Sequence, residues 1–143
     1  MKFIILTAFT IAALGAGYLL MVPTTPMSVT SVSDPKPGAL VAVELPSTLS
    51  LDAQRGKAVY EVNCAACHGP NGAGRAEQGP PLVHVIYESS HHGDEAFQRA
   101  VAEGVRGHHW PFGNMPPIKG LSRADVSLII AYIRELQRAN GID

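Results

Sequence analysis

Cys64-Ala65-Ala66-Cys67-His68 is the stretch of this chain whose residue types and spacing could do chemistry. Two thiols separated by two residues fit about one helical turn, and an imidazole follows at once. This is the pattern for covalent attachment of a c-type haem: each thiol adds across one vinyl group, and the histidine becomes the proximal iron ligand. A disulfide, a thioredoxin-like redox pair and half of a zinc site compete with that reading. The chain has only two cysteines, which excludes a four-cysteine zinc site, and a mixed site would need distant partners. No alternating strand pattern leads into Cys64, as a thioredoxin-like pair requires. Haem is therefore the reading taken, with Cys64 and Cys67 holding it and His68 on the iron.

The opposite side of the iron needs a soft or imidazole donor. Beyond the first 22 residues the methionines are Met27 and Met115, and Met115 stands between Asn114 and Pro116-Pro117 in a loop able to reach across a haem. The prolines restrict that loop before any bond forms, so less entropy is lost on ligation. A Met/His pair raises the reduction potential and saturates the iron, which favours electron transfer over binding oxygen or peroxide. The competing role for Met115 is core filling. Between Val105 and Leu121 the chain also carries Trp110, Phe112 and three prolines, too apolar for a solvated loop, so Trp110 is placed in the haem environment.

Six histidines are numerous for 143 residues. His91-His92 and His108-His109 form two doublets, and neutral imidazoles suit copper as well as iron. In an extended segment adjacent side chains diverge, so at most one of each doublet is expected to meet a common ion. Solvated loop histidines or partners of haem propionates are the preferred reading, with copper the less favoured one. His108 or His109 could also compete with Met115 for iron. His84 belongs to no motif.

Several helices must position these groups. From Leu51 the pattern is helical, with Asp52 as a capping residue and Ala53, Gly56, Val59 and Tyr60 at helical spacing ahead of Cys64. A glycine inside a helix costs about 1 kcal/mol relative to alanine, and close approach of another helix is the obvious offset. Gly69-Pro70-Asn71-Gly72-Ala73-Gly74 ends the helical course with a tight turn. Gly79-Pro80-Pro81-Leu82 is a second turn. The proline there leaves a carbonyl free to orient a proximal histidine, and an ordinary surface turn is the equal alternative. A short helix is expected over 94–103, with Phe97, Ala100 and Val101 on one face and Gly104 as its stop. The last helix opens at Ser122 with Asp125 three positions on, buries Val126, Ile129, Ile130, Ile133 and Leu136, and carries Tyr132 on its flank. Arg134 and Arg138 suit its negative pole, and Gly141 suits its end.

The amino-terminal third reads differently. After Lys2 comes an uncharged run of twenty residues, Phe3 to Val22, whose helical length of about 30 Å matches the hydrocarbon thickness of a bilayer. Residues 1–22 are expected to be a transmembrane signal-anchor, with a cleaved signal peptide as the alternative. Lys2 on the cytoplasmic side would put the rest of the chain outside, so either reading implies export, to the periplasm with an inner-membrane anchor or to the outer face of the bacterial membrane. Residues 23–50, rich in Pro, Ser, Thr and Val, read as a flexible linker spanning about 30 Å as a coil. Leu40, Val41, Val43 and Leu45 leave open an irregular arm packed on the domain, which is expected over 51–143. A formal net charge of −1 offers no electrostatic footprint for nucleic acid and no strong steering patch for a protein partner.

The cysteine-histidine motif, Gly79-Pro80-Pro81-Leu82, Asn114-Met115-Pro116-Pro117 and Ala131-Tyr132-Ile133, in that order, resemble a bacterial class I cytochrome c over about residues 51–142. The resemblance implies an all-α fold in which the amino- and carboxy-terminal helices cross beside one covalent haem c with an exposed edge. It implies Cys64 and Cys67 as attachment points, His68 and Met115 as axial ligands, and the Pro80 carbonyl as the group orienting His68. Leu82 and Trp110 belong to the haem environment, and Gly56 and Tyr132 resemble the helix-crossing residues. The implied function is electron carriage rather than catalysis, serving an oxidase, reductase or periplasmic dehydrogenase as partner, here on the membrane tether expected from residues 1–22. The histidine doublets between Val83 and Trp110 depart from the general pattern. A small haem enzyme or gas sensor with a labile distal ligand, and a copper-linked redox protein, are the alternatives.

Overall fold

A computed structural model describes residues 37–143. The expected anchor at 1–22 and the first part of the expected linker lie outside the described residues. Among the described residues the regular structure is four α-helices: α1 (Leu51–Asn63), α2 (Ala65–His68), α3 (Asp94–Glu103) and α4 (Arg123–Ala139), with 3-10 turns at Pro70–Gly72 and Val85–Tyr87. Two isolated antiparallel bridges, Arg75 to Gly79 and Val105 to Met115, pinch the loops. The architecture is all-α, and no helix among the described residues is long and apolar enough to cross a membrane.

The core lies where α1 crosses α4. Ala53, Gly56 and Tyr60 are the buried face of α1, and Val126, Ile129, Ile130, Tyr132, Ile133 and Leu136 are buried on α4. Gly56 marks the point of closest approach: a Cβ there would overlap the Leu128 carbonyl. Only a residue without a side chain lets the two backbones meet. The Tyr60 and Tyr132 rings pack 5.6 Å apart just beyond it. Their hydroxyls turn toward the haem-motif loop, Tyr60 donating to the Gly69 carbonyl at 2.7 Å and Tyr132 to Asn71 Oδ1 at 2.9 Å. Tyr132, expected on the flank, is therefore fully buried.

Helix ends follow local chemistry. The cap of α1 is Ser50, whose hydroxyl accepts from the Ala53 N–H, while Asp52 sits in the first turn where it complements the helix dipole. Ser122 and Asp125 complete a reciprocal capping box on α4.

The segment expected to be a flexible linker is part of the domain from about residue 39. The Leu40 and Val41 N–H groups both donate to the Ala73 carbonyl, Val43 is buried in the core, and Glu44 and Asn140 exchange two hydrogen bonds at 2.8 Å. Apolar side chains that could cover the crossing, together with backbone groups paired to two distant segments, outweigh the Pro/Ser/Thr composition that suggested a free tether.

Candidate functional site

The five-residue motif folds as a compact turn at the end of α1. Cys64 N–H donates back to Tyr60, ending that helix, and Cys67 and His68 N–H groups both reach the Cys64 carbonyl, at 3.2 and 2.9 Å. Both cysteines are free thiols, Cys64 half-buried and Cys67 exposed. Burial, with the Cys67 thiol beside it, pushes the Cys64 pKa up to about 11.

His68 is oriented from the second turn. Its Nδ1 lies 2.9 Å from the Pro80 carbonyl oxygen, which can only accept, so Nδ1 carries the proton and Nε2 keeps its lone pair. Burial lowers the pKa of this imidazole and the Pro80 bond partly offsets that, leaving a neutral ring fit for a metal. The loop between the two turns is held closely. Gly74 N–H donates to the His68 carbonyl at 2.7 Å, Leu82 and Val83 N–H groups converge on the Gly72 carbonyl, and Pro81 is fully buried. A Cβ on Gly69 would overlap the Gly74 carbonyl, and one on Gly79 would press on Cys67. Leu82 packs half-buried against the core.

Met115 stands at the base of a hairpin. Val105 and Met115 exchange two backbone hydrogen bonds at 2.9 Å, and Gly107 N–H donates to Asn114 Oδ1. Met115, Phe112 and Trp110 are all half-buried, as the apolar composition of this loop led one to expect. The Trp110 ring meets Phe112 and the edge of His84. Its Nε1 is buried without a hydrogen-bond partner at bonding geometry, although its N–H is near enough to Tyr87 to offset part of the rise that burial gives that phenol's pKa.

A polar framework that the apolar pattern did not reveal holds this side together. Arg134, expected only to complement the helix dipole, is buried, donating to the Tyr87 and His92 carbonyls, to Asp94 and to Gln137, with its guanidinium over Phe97. Gln137 reaches the Leu82 and Tyr87 carbonyls, and Gln98 reaches the Arg123 carbonyl and Ser127. The histidine doublets also come together. Residues 88–92 form a turn, with His91 and His92 N–H groups both reaching the Glu88 carbonyl, so neighbouring imidazoles do not diverge as they would in extended chain. His91, His92 and His109 consequently converge, whereas at most one of each doublet was expected to do so. Slight desolvation of the exposed His109 ring and the neighbouring His108, His92 and His91 lower its pKa.

The sequence model of the family described as Cytochrome c matches residues 53–137, which covers the helix crossing, the cysteine motif and the Met115 hairpin. The chain belongs to the cytochrome c family. It is a class I monohaem c-type cytochrome whose cofactor is covalently bound haem c. This cytochrome is also 33% identical over 104 residues to the Cbb3-type cytochrome c oxidase subunit FixP of Azorhizobium caulinodans, spanning 66% of the chain and 32% of that protein. Over 56 residues it is 43% identical to the Cbb3-type cytochrome c oxidase subunit FixPc of Rhizobium leguminosarum bv. viciae, spanning 38% of the chain and 19% of that protein. The chain thus spans a third or less of the length of the curated relatives it matches.

The residues present fit haem c. Cys64 and Cys67 are the chain's two thiols and stand unpaired, His68 offers Nε2 on a ring held from behind, and the unpartnered Trp110 N–H suits an anionic oxygen such as a propionate.

Proposed function

We propose that this cytochrome carries single electrons through a haem ligated by His68 and Met115, tethered to a membrane by residues 1–22 with its haem domain in the periplasm. The observation that carries the reading is His68 held through Nδ1 by Pro80 at 2.9 Å, directly after the paired cysteines. Haem c, when bound, supplies a one-electron ferrous/ferric couple. Cys64 and Cys67 would hold it covalently, each thiol adding its S–H across one vinyl double bond, and the attachment would make His68 the adjacent iron donor. The Pro80 carbonyl holds the His68 ring in one tautomer and makes Nε2 a better donor. Met115 supplies the thioether sulfur, from a hairpin stiffened by its two bonds to Val105 and by Pro116-Pro117. A haem held by both His68 and Met115 would gain or lose no ligand between its redox states, which would keep reorganisation small. The half-buried Leu82 and Trp110 would limit water at the cofactor.

A Phe3–Val22 run of spanning length supports the tether. Two relatives named as subunits of cbb3-type oxidases support a terminal oxidase as a redox partner. The test is an optical redox titration of the full-length holoprotein, followed by exposure of the ferrous form to carbon monoxide at neutral pH. A reversible one-electron transition without rapid carbon monoxide binding is expected. Rapid binding would overturn the carrier reading in favour of an open-iron enzyme or sensor.

A further inference from the structure

The histidine doublets remain unused by this account, yet the fold brings them together from two separate loops. Nitrogens of His91, His92 and His109 all lie within 4.8 Å of one another. Ring centroids are 4.6 Å apart for His91 and His92, 5.4 Å for His91 and His109 and 5.2 Å for His92 and His109, with His108 4.2 Å beyond His109. We infer that His91, His92 and His109 form a second metal site, separate from the haem, that takes a divalent transition ion of the copper or zinc kind through three imidazoles.

Backbone carbonyls orient His92 of the three and the adjoining His108, as they orient ligating histidines elsewhere. His92 Nδ1 is 2.6 Å from the Ile86 carbonyl oxygen, and His108 Nδ1 is 2.8 Å from that of Arg106. A carbonyl only accepts, so each ring holds its proton on Nδ1 and keeps a lone pair on Nε2, the tautomer selected behind metal-bound histidines. Both supporting loops are fixed. Arg134 donates to the His92 carbonyl at 2.6 Å, and the hairpin carrying His109 is closed by the Val105 and Met115 bonds.

Distance decides how much the site must move. Two imidazole nitrogens on one ion, each at about 2.0–2.1 Å, stand about 4.2 Å apart when trans and about 3.4 Å apart in a tetrahedral site, so the 4.8 Å limit must shrink by about 0.6–1.4 Å. Side-chain rotation supplies that, because His91 and His109 are exposed while His92, the best-held of the three, serves as the fixed point. Three imidazoles leave a fourth position for water or for His108. An all-nitrogen donor set without thiolate or carboxylate favours copper(II), then zinc, over magnesium or calcium. An ion there would cross-link the loop ahead of α3 to the hairpin that ends at Met115.

The test uses the full-length holoprotein, freed of adventitious metal and titrated with copper(II) and separately with zinc(II) against a competing chelator. Wild type is expected to bind one equivalent, with nitrogen couplings from several imidazoles in the copper electron paramagnetic resonance spectrum. His92→Ala and His109→Ala should each weaken binding by at least about tenfold, the lower end of what losing even a supporting group costs a metal site. The haem absorption spectrum of each variant reports that the fold is intact. Equal affinity in wild type and in a variant lacking His91, His92, His108 and His109 would overturn the site. So would loss of those histidines altering the haem spectrum while leaving copper binding unchanged, because they would then serve the haem instead.

Discussion

The helix crossing and the segment from His84 to Asp125 are built on different principles. At the crossing, Ala53, Gly56, Tyr60, Ile129, Tyr132, Ile133 and Leu136 are all buried, and two helix backbones touch at Gly56. Between His84 and Asp125 the one buried residue is Gln98, while Phe97, Trp110, Phe112, Met115 and Ile118 are only half-covered. Hydrogen bonds from Arg134 and Gln137 to loop carbonyls, and from Gln98 to the Arg123 carbonyl in the first turn of α4, hold this second region in place of apolar burial. The two regions differ in means: one is packed by apolar side chains of the chain itself, and the other keeps its apolar side chains half-covered while polar pins fix its position.

Breaking the first region should have the largest effect. In an open helix Gly56→Ala would gain about 1 kcal/mol from propensity, but here the new methyl meets the Leu128 carbonyl. Overpacking against backbone that cannot yield should win, with a net loss of about 3 kcal/mol in denaturant unfolding. A neutral or stabilised variant would show that the helices can part.

The second region should yield locally. Arg134→Met keeps the stem but leaves the His92 carbonyl without its donor and the Tyr87 carbonyl with Gln137 alone. The expected loss is about 2–3 kcal/mol, with hydrogen exchange rising first between Tyr87 and Asp94 rather than across α1 and α4. A uniform rise would mean that the two regions open as one.

A smaller effect should appear with pH. Glu95, bonded to Arg123, and Asp125, bonded to the Ser122 hydroxyl and N–H, both have pKa values held below the usual carboxylate values of 4.5 and 3.8. The folded state therefore binds these protons less readily than the unfolded chain. Their stabilisation is present above those ordinary values and is lost as pH falls through the depressed ones. Both groups are exposed, so Glu95→Gln and Asp125→Asn should flatten the acid limb only slightly, by lowering stability a little at pH 7 and leaving it unchanged below the depressed values.

The first region was readable from the sequence because each of its signals is local. A glycine within a helical pattern demands close approach, the cysteine-histidine spacing specifies covalent haem, and a stripe of isoleucines marks the inner face of α4. Sequence patterns also placed α3 at Asp94–Glu103. What escaped depends on distant acceptors. Nothing local distinguishes Arg134, Gln137 or Gln98 from solvated polar residues until the carbonyls of Tyr87, Leu82 and Arg123 are brought beside them. Val43 looked like part of a tether because its partners lie far along the chain. The histidines converge because residues 88–92 turn, a conformation that no glycine or proline within the doublet announces.

The most direct test of the account is the optical spectrum of the oxidised holoprotein beside that of Met115→Ala. A weak red charge-transfer band of sulfur-ligated ferric iron in the wild type, lost in the variant, is the predicted result. Absence of that band from the wild type, or its survival in Met115→Ala, would contradict Met115 as the second ligand and the closed, saturated iron on which the electron-carrier reading rests.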